Sequence, residues 1–545
     1  MTADATSLAR RTDAVALVVL LVVATAVLRT FRDYGLGWDD YTHSQYGDLL
    51  LSLYTSGFTD KRALSFVNLY MYGGGFDLLA ACAAKLLPID LFATRRLVGG
   101  AIGLFGLFLT WRLARRLGGP RAGLVALLLL AACPLYYGHM FINAKDAPFA
   151  TAMVLALVGI VRAFEDYPRP KPSTVALCGI GIGLAVGSRV MGGFAVVTAL
   201  SSLVFVAIVR ARESALRVAL QECGTFIVPL IPGVILAYIV MGLVWPWSVV
   251  APLNPFHAVE YFSNFFEKPW RELFDGELIP VVDMPRSYVP TLFALKLPLL
   301  MLALGMGGTV GALVAAIGGS GRGGNAGRRA ALFAVAVAAM LPIAVTVATR
   351  PAMYNGIRHF VFVLPPLALL GGLAGARLAD VLDRRGAIAA AAGIAVLLVG
   401  LAAPTVELIR LHPFEYTYFN RLAGGVAGAR PRYMLDYWGL SLTTASRELL
   451  ASIEAHGQTP PAGATRTIAV CGPHPPVKVA LGSQYRTTWN PKGADFAVML
   501  GEFYCAKLDA PVVLDVVREG VSYARVYDIR GRSISSLLTV PGIDK

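Results

Sequence analysis

The feature of this sequence that most constrains its fold is a series of long apolar segments. Stretches of about 17 to 25 apolar residues are long enough to cross a bilayer as helices. Such stretches lie at residues 13–30, 96–114, 122–138, 147–163, 174–189, 191–209, 222–244, 291–316, 330–348, 358–376 and 386–404. Of the 545 residues, 56% are hydrophobic and only 15% are charged, a balance too apolar for a water-soluble protein. The sequence therefore predicts a polytopic α-helical membrane protein with about eleven transmembrane helices.

Basic residues between the apolar segments predict how the chain crosses the membrane. Arginine clusters occupy alternate loops, among them Arg10 and Arg11; Arg115, Arg116 and Arg121; and Arg377, Arg384 and Arg385. The positive-inside rule places these loops in the cytoplasm. We therefore expect a multi-pass protein of the cell inner membrane, with a cytoplasmic N-terminus and outer loops at residues 31–95 and 245–290. The net charge of +14 is dispersed over the clusters, which argues against a nucleic-acid partner.

A cleavable signal peptide is the competing interpretation of the first apolar segment. Arg10 and Arg11 precede a short apolar core, and Ala24-Thr25-Ala26 resembles a cleavage site. The apolar run nevertheless continues to Leu28, and cleavage would leave the later segments with the wrong parity for the basic loops. We expect an uncleaved first helix.

The composition changes after the last apolar segment. Short β-like runs at residues 467–470 and 496–500 and a helical stretch at 441–455 lie between Gly/Pro-rich turns. We expect a transmembrane catalytic domain over residues 1–404 and a small extracytoplasmic α/β domain over residues 405–545.

The C-terminal domain contains two cysteines, Cys471 and Cys505. If the topology is right, this domain faces an oxidising compartment, where disulfides form and persist. A disulfide between them and two free thiols are equally compatible with the sequence.

Two further segments have local predictions. Residues 69–87 have apolar side chains at helical spacing but include Gly73, Gly74 and Gly75, which predicts an interfacial helix rather than a span. The Gly-rich stretch at residues 318–327 predicts a flexible cytoplasmic linker.

Charged residues stand at the ends of four apolar segments, and parity places all four ends at the outer face. They are Asp39 and Asp40 after the first segment, Lys145 and Asp146 before the fourth, Arg189 ending the fifth, and Arg358 with His359 opening the tenth. Ionisable groups at a membrane boundary lose hydration, which marks a candidate functional site. A carboxylate can take a proton from an attacking hydroxyl, while arginines bind a phosphate and stabilise its departure. We expect transfer from a lipid-phosphate donor.

Each of these groups also has a structural explanation. Arg189 and Arg358 could be interfacial snorkelling residues, and Asp146 could cap the helix that follows it. His43 could assist a metal, although a solvated surface histidine is equally compatible. The three carboxylates would suit Mg²⁺ or Mn²⁺, and nothing in the sequence decides whether a cation is needed.

Several motifs then resemble a known pattern. The acidic pair Asp39-Asp40 is followed by Tyr41, the second acid opens Asp146-Ala147-Pro148, and Arg358-His359-Phe360 leads into Leu364-Pro365-Pro366. In this order they resemble the GT-C membrane glycosyltransferases. The nearest group is glycosyltransferase family 39, which includes protein O-mannosyltransferases and is close to the lipid A aminoarabinose transferases.

The resemblance implies an inverting glycosyltransferase that moves a sugar from a polyprenyl-phosphate donor to an acceptor hydroxyl of a lipid, glycan or protein. Asp39 matches the catalytic acid, Asp40 replaces its usual Glu neighbour, Asp146 matches the second acid, and Arg358 matches a basic residue near the donor phosphate. The substrate-binding candidates are Lys145, Arg189, Arg358, His359, Tyr41, Tyr72 and Asp77. The chain departs from the family in lacking its Glu-Lys-Pro-Pro-like element, where residues 70–77 stand instead.

Two other classes of function stay open at this point. A lipid or solute transporter would also place polar groups among many spans, and a non-catalytic scaffold would use its C-terminal domain to bind a partner. The ionisable residues gather at the outer ends of the spans rather than at mid-membrane, and no two-fold repeat is visible. These features argue against the transporter.

Overall fold

A computed structural model describes residues 3–263, 270–318, 325–461 and 463–539. The helices of the first half are α1 (Ala3–Thr30), α2 (Asp40–Thr55), α3 (Gly75–Leu86), α4 (Leu91–Ala131), α5 (Pro134–Ile142), α6 (Ala147–Glu165), α7 (Pro172–Ser188), α8 (Gly193–Glu213), α9 (Leu216–Ile227), α10 (Ile231–Val244) and α11 (Asn254–Ser263). The later helices are α12 (Tyr288–Lys296), α13 (Leu299–Gly318), α14 (Ala326–Thr349), α15 (Leu364–Arg384), α16 (Ala387–Leu411), α17 (Gly425–Ala429), α18 (Ser441–Ala455) and α19 (His474–Leu481). The strands are β1 (Arg271–Phe274), β2 (Glu277–Pro280), β3 (Arg466–Cys471), β4 (Tyr485–Thr488), β5 (Phe496–Leu500), β6 (Val512–Arg518) and β7 (Val521–Asp528).

Within these described ranges, nine helical segments are long and apolar enough to cross a membrane. One of them, α4, is a hairpin of two helical limbs, because Gly119 has a φ of 84° and the next residue, Pro120, cannot continue the hydrogen-bond ladder. The hydroxyl of Tyr136 on α5 donates back to the carbonyl of Gly103 on the first limb at 3.0 Å. Counting both limbs, and adding the shorter apolar helix α7, brings the passes into agreement with the segments predicted from hydropathy.

The loop before α3 is shaped by three glycines. A side chain on Gly73 would collide with the carbonyl of Gly187 at the end of α7, and the Gly74 N–H donates to the carbonyl of Val244 at 2.9 Å. This close approach requires glycine, and α3 therefore begins at Gly75 rather than at residue 69 as predicted.

The predicted segment 291–316 is broken in two. α12 ends at Lys296 and α13 begins at Leu299, because Pro298 lacks an N–H and disfavours helix in the residue before it. The side-chain amide of Asn420 donates to the carbonyl of Leu297 at 2.8 Å. The predicted linker at 318–327 lies mostly outside the described residues.

The C-terminal domain contains a five-stranded sheet in the order β4-β3-β5-β7-β6. β3 pairs in parallel with β4 and β5, whereas β7 pairs antiparallel with β5 and β6. The predicted helix at 441–455 and both predicted strands are present, while α16 continues to Leu411, past residue 405. A mostly helical chain with a small C-terminal sheet confirms the predicted fold class.

The C-terminal domain is packed tightly onto the helices. The hydroxyl of Tyr34 after α1 donates to Glu415 at 2.9 Å, and Gly138 of α5 leaves no room for a side chain against the backbone of Tyr416. One hydrophobic core contains buried residues of both parts, for example Leu135 and Ile468. The domain therefore has a defined position over one end of the bundle.

A disulfide joins Cys471 on β3 to Cys505. The sequence separation of 34 residues gives a loop-closure contribution of roughly 4 kcal/mol to the stability of the domain. Replacing both cysteines by serine is expected to lower the free energy of opening at the β3 and β5 amides, as measured by hydrogen exchange, by roughly 4 kcal/mol. Cys82→Ser, at a free and partly exposed thiol, is the control. Unchanged protection in the double variant would contradict the prediction.

Candidate active site

The centre of the candidate site is the buried carboxylate of Asp146, which immediately precedes α6. Its Oδ1 lies 3.3 Å from Nη1 of Arg189, its Oδ2 lies 3.2 Å from Nδ1 of His139, and Nη1 of Arg358 is 4.0 Å away. Burial opposes ionisation of this carboxyl, but the imidazole and the two guanidinium groups outweigh it and hold its pKa below the usual range. Three chain segments therefore meet at one anionic group.

Arg358 is held on its other side by aromatic rings. Its guanidinium carbon lies 5.2 Å from the ring centre of Tyr354 and 4.8 Å from that of Trp438, and Nη2 donates to the Tyr354 hydroxyl at 3.2 Å. Cation–π contacts of this kind orient a guanidinium group while leaving N–H donors for an anion.

A strained turn places Arg358. Asn355 and Gly356 have φ values of 56° and 66°, in the left-handed region. The buried carboxylate of Glu272 on β1 accepts hydrogen bonds from both backbone N–H groups at 2.7 and 3.2 Å, and from the Tyr288 hydroxyl at 2.8 Å. Glu272 thus positions Arg358 through the backbone, a role the sequence offered no signal for.

Asp39 differs from the other acids of the site because it is free. Its partly exposed carboxylate has no hydrogen-bond or ion-pair partner among the residues that the structure describes, and it lies within Coulomb range of Lys145 and Arg358. A carboxylate in this state can accept a proton.

Lys145 provides a further cation beside Asp39. Its Nζ lies 3.7 Å from the ring centre of Tyr72, and the side chain as a whole is partly exposed. Desolvation lowers the pKa of Lys145 to about 8, against the opposing attraction of Asp39. The ammonium group is therefore charged at neutral pH.

Asp40, expected from the sequence to be catalytic, is fully engaged in a structural ion pair. Its two oxygens accept from Nη1 and Nη2 of Arg96 at 2.9 and 2.5 Å, and Oδ2 also accepts from the Gly37 N–H at 2.7 Å. Only 4% of Asp40 is exposed. This bidentate geometry favours a positioning role, in which Asp40 holds the turn that presents Asp39.

His43 and Asp77, expected to bind a metal and substrate respectively, bind each other. His43 Nδ1 lies 2.7 Å from Asp77 Oδ2, and Arg95 Nη2 donates to Asp77 Oδ1 at 2.6 Å. All three are buried between α2, α3 and α4. These contacts join α3 to α2 and α4. They occupy both oxygens of Asp77, which favours a structural role for this residue over substrate binding.

The aromatic and imidazole candidates lie around the cations. Tyr41 is exposed by 43%, and Tyr72 packs on Phe262 with ring centres 4.1 Å apart. The ring of His359 lies edge-on to Tyr354, with centres 5.1 Å apart. Tyr41 and Tyr72 stay candidates for sugar or lipid contacts.

No group of three or more His, Cys, Asp or Glu side chains within the described ranges has the arrangement of a metal site. The acids proposed from the sequence as ligands differ in availability, since Asp40 is paired with Arg96 and Asp146 is surrounded by cations. The residues present do not fit a Mg²⁺ or Mn²⁺ centre, so no step is derived through one.

His139 and Tyr437 are two further residues of the site that the sequence reasoning missed. His139, in the middle of the apolar helix α5, reaches Asp146, and its Nε2 lies 3.0 Å from the hydroxyl of Tyr437 in the C-terminal domain. A histidine in an apolar run is itself a signal, whereas nothing near Tyr437, 298 positions further along the chain, indicates that it pairs with His139.

Part of the chain matches a known protein family. A family model described as dolichyl-phosphate-mannose-protein mannosyltransferase matches residues 77–245, a stretch that includes Lys145, Asp146 and Arg189 and is less than half of the chain. No curated protein matches the sequence.

Solved structures share the fold at low identity. The oligosaccharyltransferase of Archaeoglobus fulgidus in its apo form is 15% identical with a TM-score of 0.51, and the match covers 83% of this chain and 62% of that one. ArnT from Cupriavidus metallidurans in the apo state is 18% identical with a TM-score of 0.48, covering 96% and 98%. The arabinofuranosyltransferase AftD from Mycobacteria is 16% identical with a TM-score of 0.43, covering 95% and 40%. The fold assignment rests on the first of these.

The archaeal oligosaccharyltransferase is a GT-C glycosyltransferase, and the chain described here has the GT-C fold, as its motifs predicted. The mannosyltransferase family match over residues 77–245, together with the helices long enough to cross a membrane, indicates a membrane-bound glycosyltransferase.

Proposed function

We propose that the protein is an inverting glycosyltransferase that moves a sugar from a polyprenyl-phosphate donor to an acceptor hydroxyl. The observation that carries the proposal is a surplus of cations. Arg189 and Arg358 lie against the buried carboxylate of Asp146, and Lys145 lies within Coulomb range of Asp39 and of both arginines. Two carboxylates, Asp146 and Asp39, do not balance these three cations. The remaining positive potential suits a phosphate group.

In the proposed reaction Asp39 takes the proton of the acceptor hydroxyl as its oxygen attacks the anomeric carbon. The bond between that carbon and the phosphate oxygen breaks on the opposite side, which inverts the configuration and releases polyprenyl phosphate. The phosphate gains one negative charge as it leaves, and Arg358, Arg189 and Lys145 stabilise that charge. A carboxylate nearby also stabilises the oxocarbenium-like sugar.

Asp146 has a positioning role in this proposal. Its contacts run to Arg189, His139 and Arg358, so it orients the phosphate-binding arginines. Removing water from such a site strengthens every charge interaction within it.

The location and chemistry of the site support a donor that stays in the membrane. The cations stand where α6, α7 and the segment before α15 meet at one end of the bundle. The matching family's description names a lipid-phosphate sugar and a protein acceptor, so partners of this class are proposed: polyprenyl-phosphate sugar as donor and a lipid, glycan or protein as acceptor. The positions of the basic loops support a site at the outer face of the inner membrane, with the N-terminus in the cytoplasm.

Transfer of radiolabel tests the proposal directly. Purified protein is given a panel of labelled polyprenyl-phosphate sugars together with membrane extract, and label is followed in lipid, glycan and protein fractions. Label entering any acceptor fraction supports a glycosyltransferase. If no donor yields transfer while the protein moves lipid across a vesicle bilayer, the transporter interpretation replaces this one.

The pKa of Lys145 gives a testable pH dependence. Below about pH 8 its ammonium is charged and attracts the donor phosphate, and above that pH the attraction is lost. The donor KM is therefore expected to rise by roughly 10-fold above pH 8, the value of one charge-assisted hydrogen bond. Lys145→Arg stays protonated and is expected to remove this rise. Identical pH profiles of KM for the two proteins would contradict a role for Lys145 in phosphate binding.

A further inference from the structure

We infer that the loop at residues 436–439 of the C-terminal domain forms part of the active site, and that Tyr437 and Trp438 are positioning residues for glycosyl transfer. The inference rests on the proposed function and deepens it. It means that the active site is formed by residues of the C-terminal domain as well as by residues of the helical bundle.

Tyr437 completes a buried chain of polar groups that ends at Asp146. Its hydroxyl lies 3.0 Å from Nε2 of His139, whose Nδ1 lies 3.2 Å from Asp146. All three residues are at most 1% exposed. The contact with the Tyr437 hydroxyl fixes the orientation of the imidazole, so that Nδ1 faces the Asp146 carboxylate.

Trp438 touches both halves of the reaction centre. Its indole lies 4.8 Å from the guanidinium carbon of Arg358, the proposed phosphate ligand. Its carbonyl accepts the N–H of Trp38 at 3.2 Å, the residue before the proposed base Asp39. A side chain on Gly37 would collide with the indole, so this contact requires glycine. Trp438 therefore contacts both the proposed phosphate ligand and the turn that carries the proposed base, and it fixes their relative positions.

The loop is held from the side of the C-terminal domain by two buried carboxylates. Asp436 caps the turn into α18, accepting from the N–H groups of Gly439 at 2.8 Å, Leu440 at 3.1 Å and Ser441 at 3.0 Å and from the hydroxyl of Tyr416. Oε1 of Glu502 accepts from the N–H groups of Leu435 at 3.1 Å and Asp436 at 2.6 Å. These bonds fix the loop backbone without help from a substrate.

The principal test is Tyr437→Phe, which removes one hydroxyl and keeps the ring. Loss of the His139 contact is expected to lower kcat by about 10- to 100-fold, the cost of misplacing catalytic groups by a fraction of an ångström, with little change in donor KM. Tyr523→Phe is the matched control, because the Tyr523 hydroxyl is also buried but bonds Thr417, at 2.8 Å, rather than His139. The two variants are expected to lose similar thermal stability, and only Tyr437→Phe to lose turnover.

A second pair of variants covers the case in which Tyr437→Phe does not fold. In Glu502→Gln the amide oxygen can still accept both loop N–H groups, whereas Glu502→Ala leaves them unsatisfied. Glu502→Ala is expected to lower kcat by at least about 10-fold, and Glu502→Gln to retain it.

The results distinguish a failure of this inference from a failure of the proposed function on which it rests. Wild-type protein that transfers no label overturns the proposed function itself. If the wild type transfers label, then wild-type kcat in Tyr437→Phe, or equal kcat in the two Glu502 variants, overturns the role of the loop.

Discussion

Replacing Asp39 by asparagine is expected to lower turnover by about 10²-fold or more without changing the thermal unfolding midpoint. The amide has the same shape as the carboxylate but cannot take a proton from the acceptor hydroxyl. No folding contact is lost, because the Asp39 side chain has no hydrogen-bond or ion-pair partner in the described part of the chain. Initial rates of label transfer at saturating donor, together with a melting curve, measure both effects.

Asp48→Asn is the matched control for that experiment. Asp48 is an exposed acid on α2, the helix that Asp39 precedes, so its replacement changes the net charge equally without touching the site. Asp39→Asn is also expected to bind polyprenyl phosphate at least as well as the wild type, since a repulsive charge has been removed. Wild-type turnover in Asp39→Asn would exclude Asp39 as the general base.

Replacing Asp146 by asparagine is expected to damage both stability and turnover. The carboxylate is the only anion in contact with two buried arginines among the described residues, and breaking a buried ion pair by removing one partner costs about 3–5 kcal/mol. The arginines would then repel each other and leave the geometry that binds phosphate. Thermal unfolding and label transfer on the same preparations measure the two losses.

Asp13→Asn provides the comparison for stability. Asp13 pairs with Arg115 through two hydrogen bonds of 2.6 Å, but both side chains are a quarter to a third exposed, and exposed pairs contribute about 1 kcal/mol or less. An unfolding midpoint for Asp146→Asn no lower than that of Asp13→Asn would contradict a stabilising contact of Asp146 with Arg189 and Arg358. The contrast between Asp39→Asn and Asp146→Asn then distinguishes a group that reacts from a group that positions others.

The inferred role of the loop at residues 436–439 changes how truncations of this protein should be understood. The C-terminal domain shares the hydrophobic core of the bundle and supplies contacts to His139, Arg358 and Trp38. Removing residues 405–545 would expose that core and dismantle the site together. Loss of activity on truncation therefore cannot be assigned to a missing partner interaction, which is why single-atom changes such as Tyr437→Phe are the informative ones.

Local patterns were sufficient to predict the long apolar helices and the charged residues that meet at one end of the bundle. Every span must satisfy its own backbone hydrogen bonds in lipid, so an apolar segment of sufficient length forms a helix whatever its neighbours are. Parity then placed Asp146, Arg189 and Arg358 at one end of the bundle, and the structure brings the two arginines within 4.0 Å of the carboxylate. The breaks at Gly119 and Pro298 also follow from residue chemistry, although the break at Pro298 was missed.

The roles of the individual acids were decided only by tertiary structure. Asp39 and Asp40 are neighbours with the same side chain, yet Asp39 has no side-chain partner among the described residues, whereas Asp40 is held by Arg96. That difference depends on which helix packs beside the loop. Likewise, the bond between His139 and Tyr437 joins segments 298 residues apart, and no periodicity records such a pairing. The sequence by itself determined at which ends of the spans the charged residues lie, because the free-energy cost of placing a residue in a bilayer depends on its own segment. Which of these charged groups contact each other depends on how distant segments pack, and only the tertiary structure decided that.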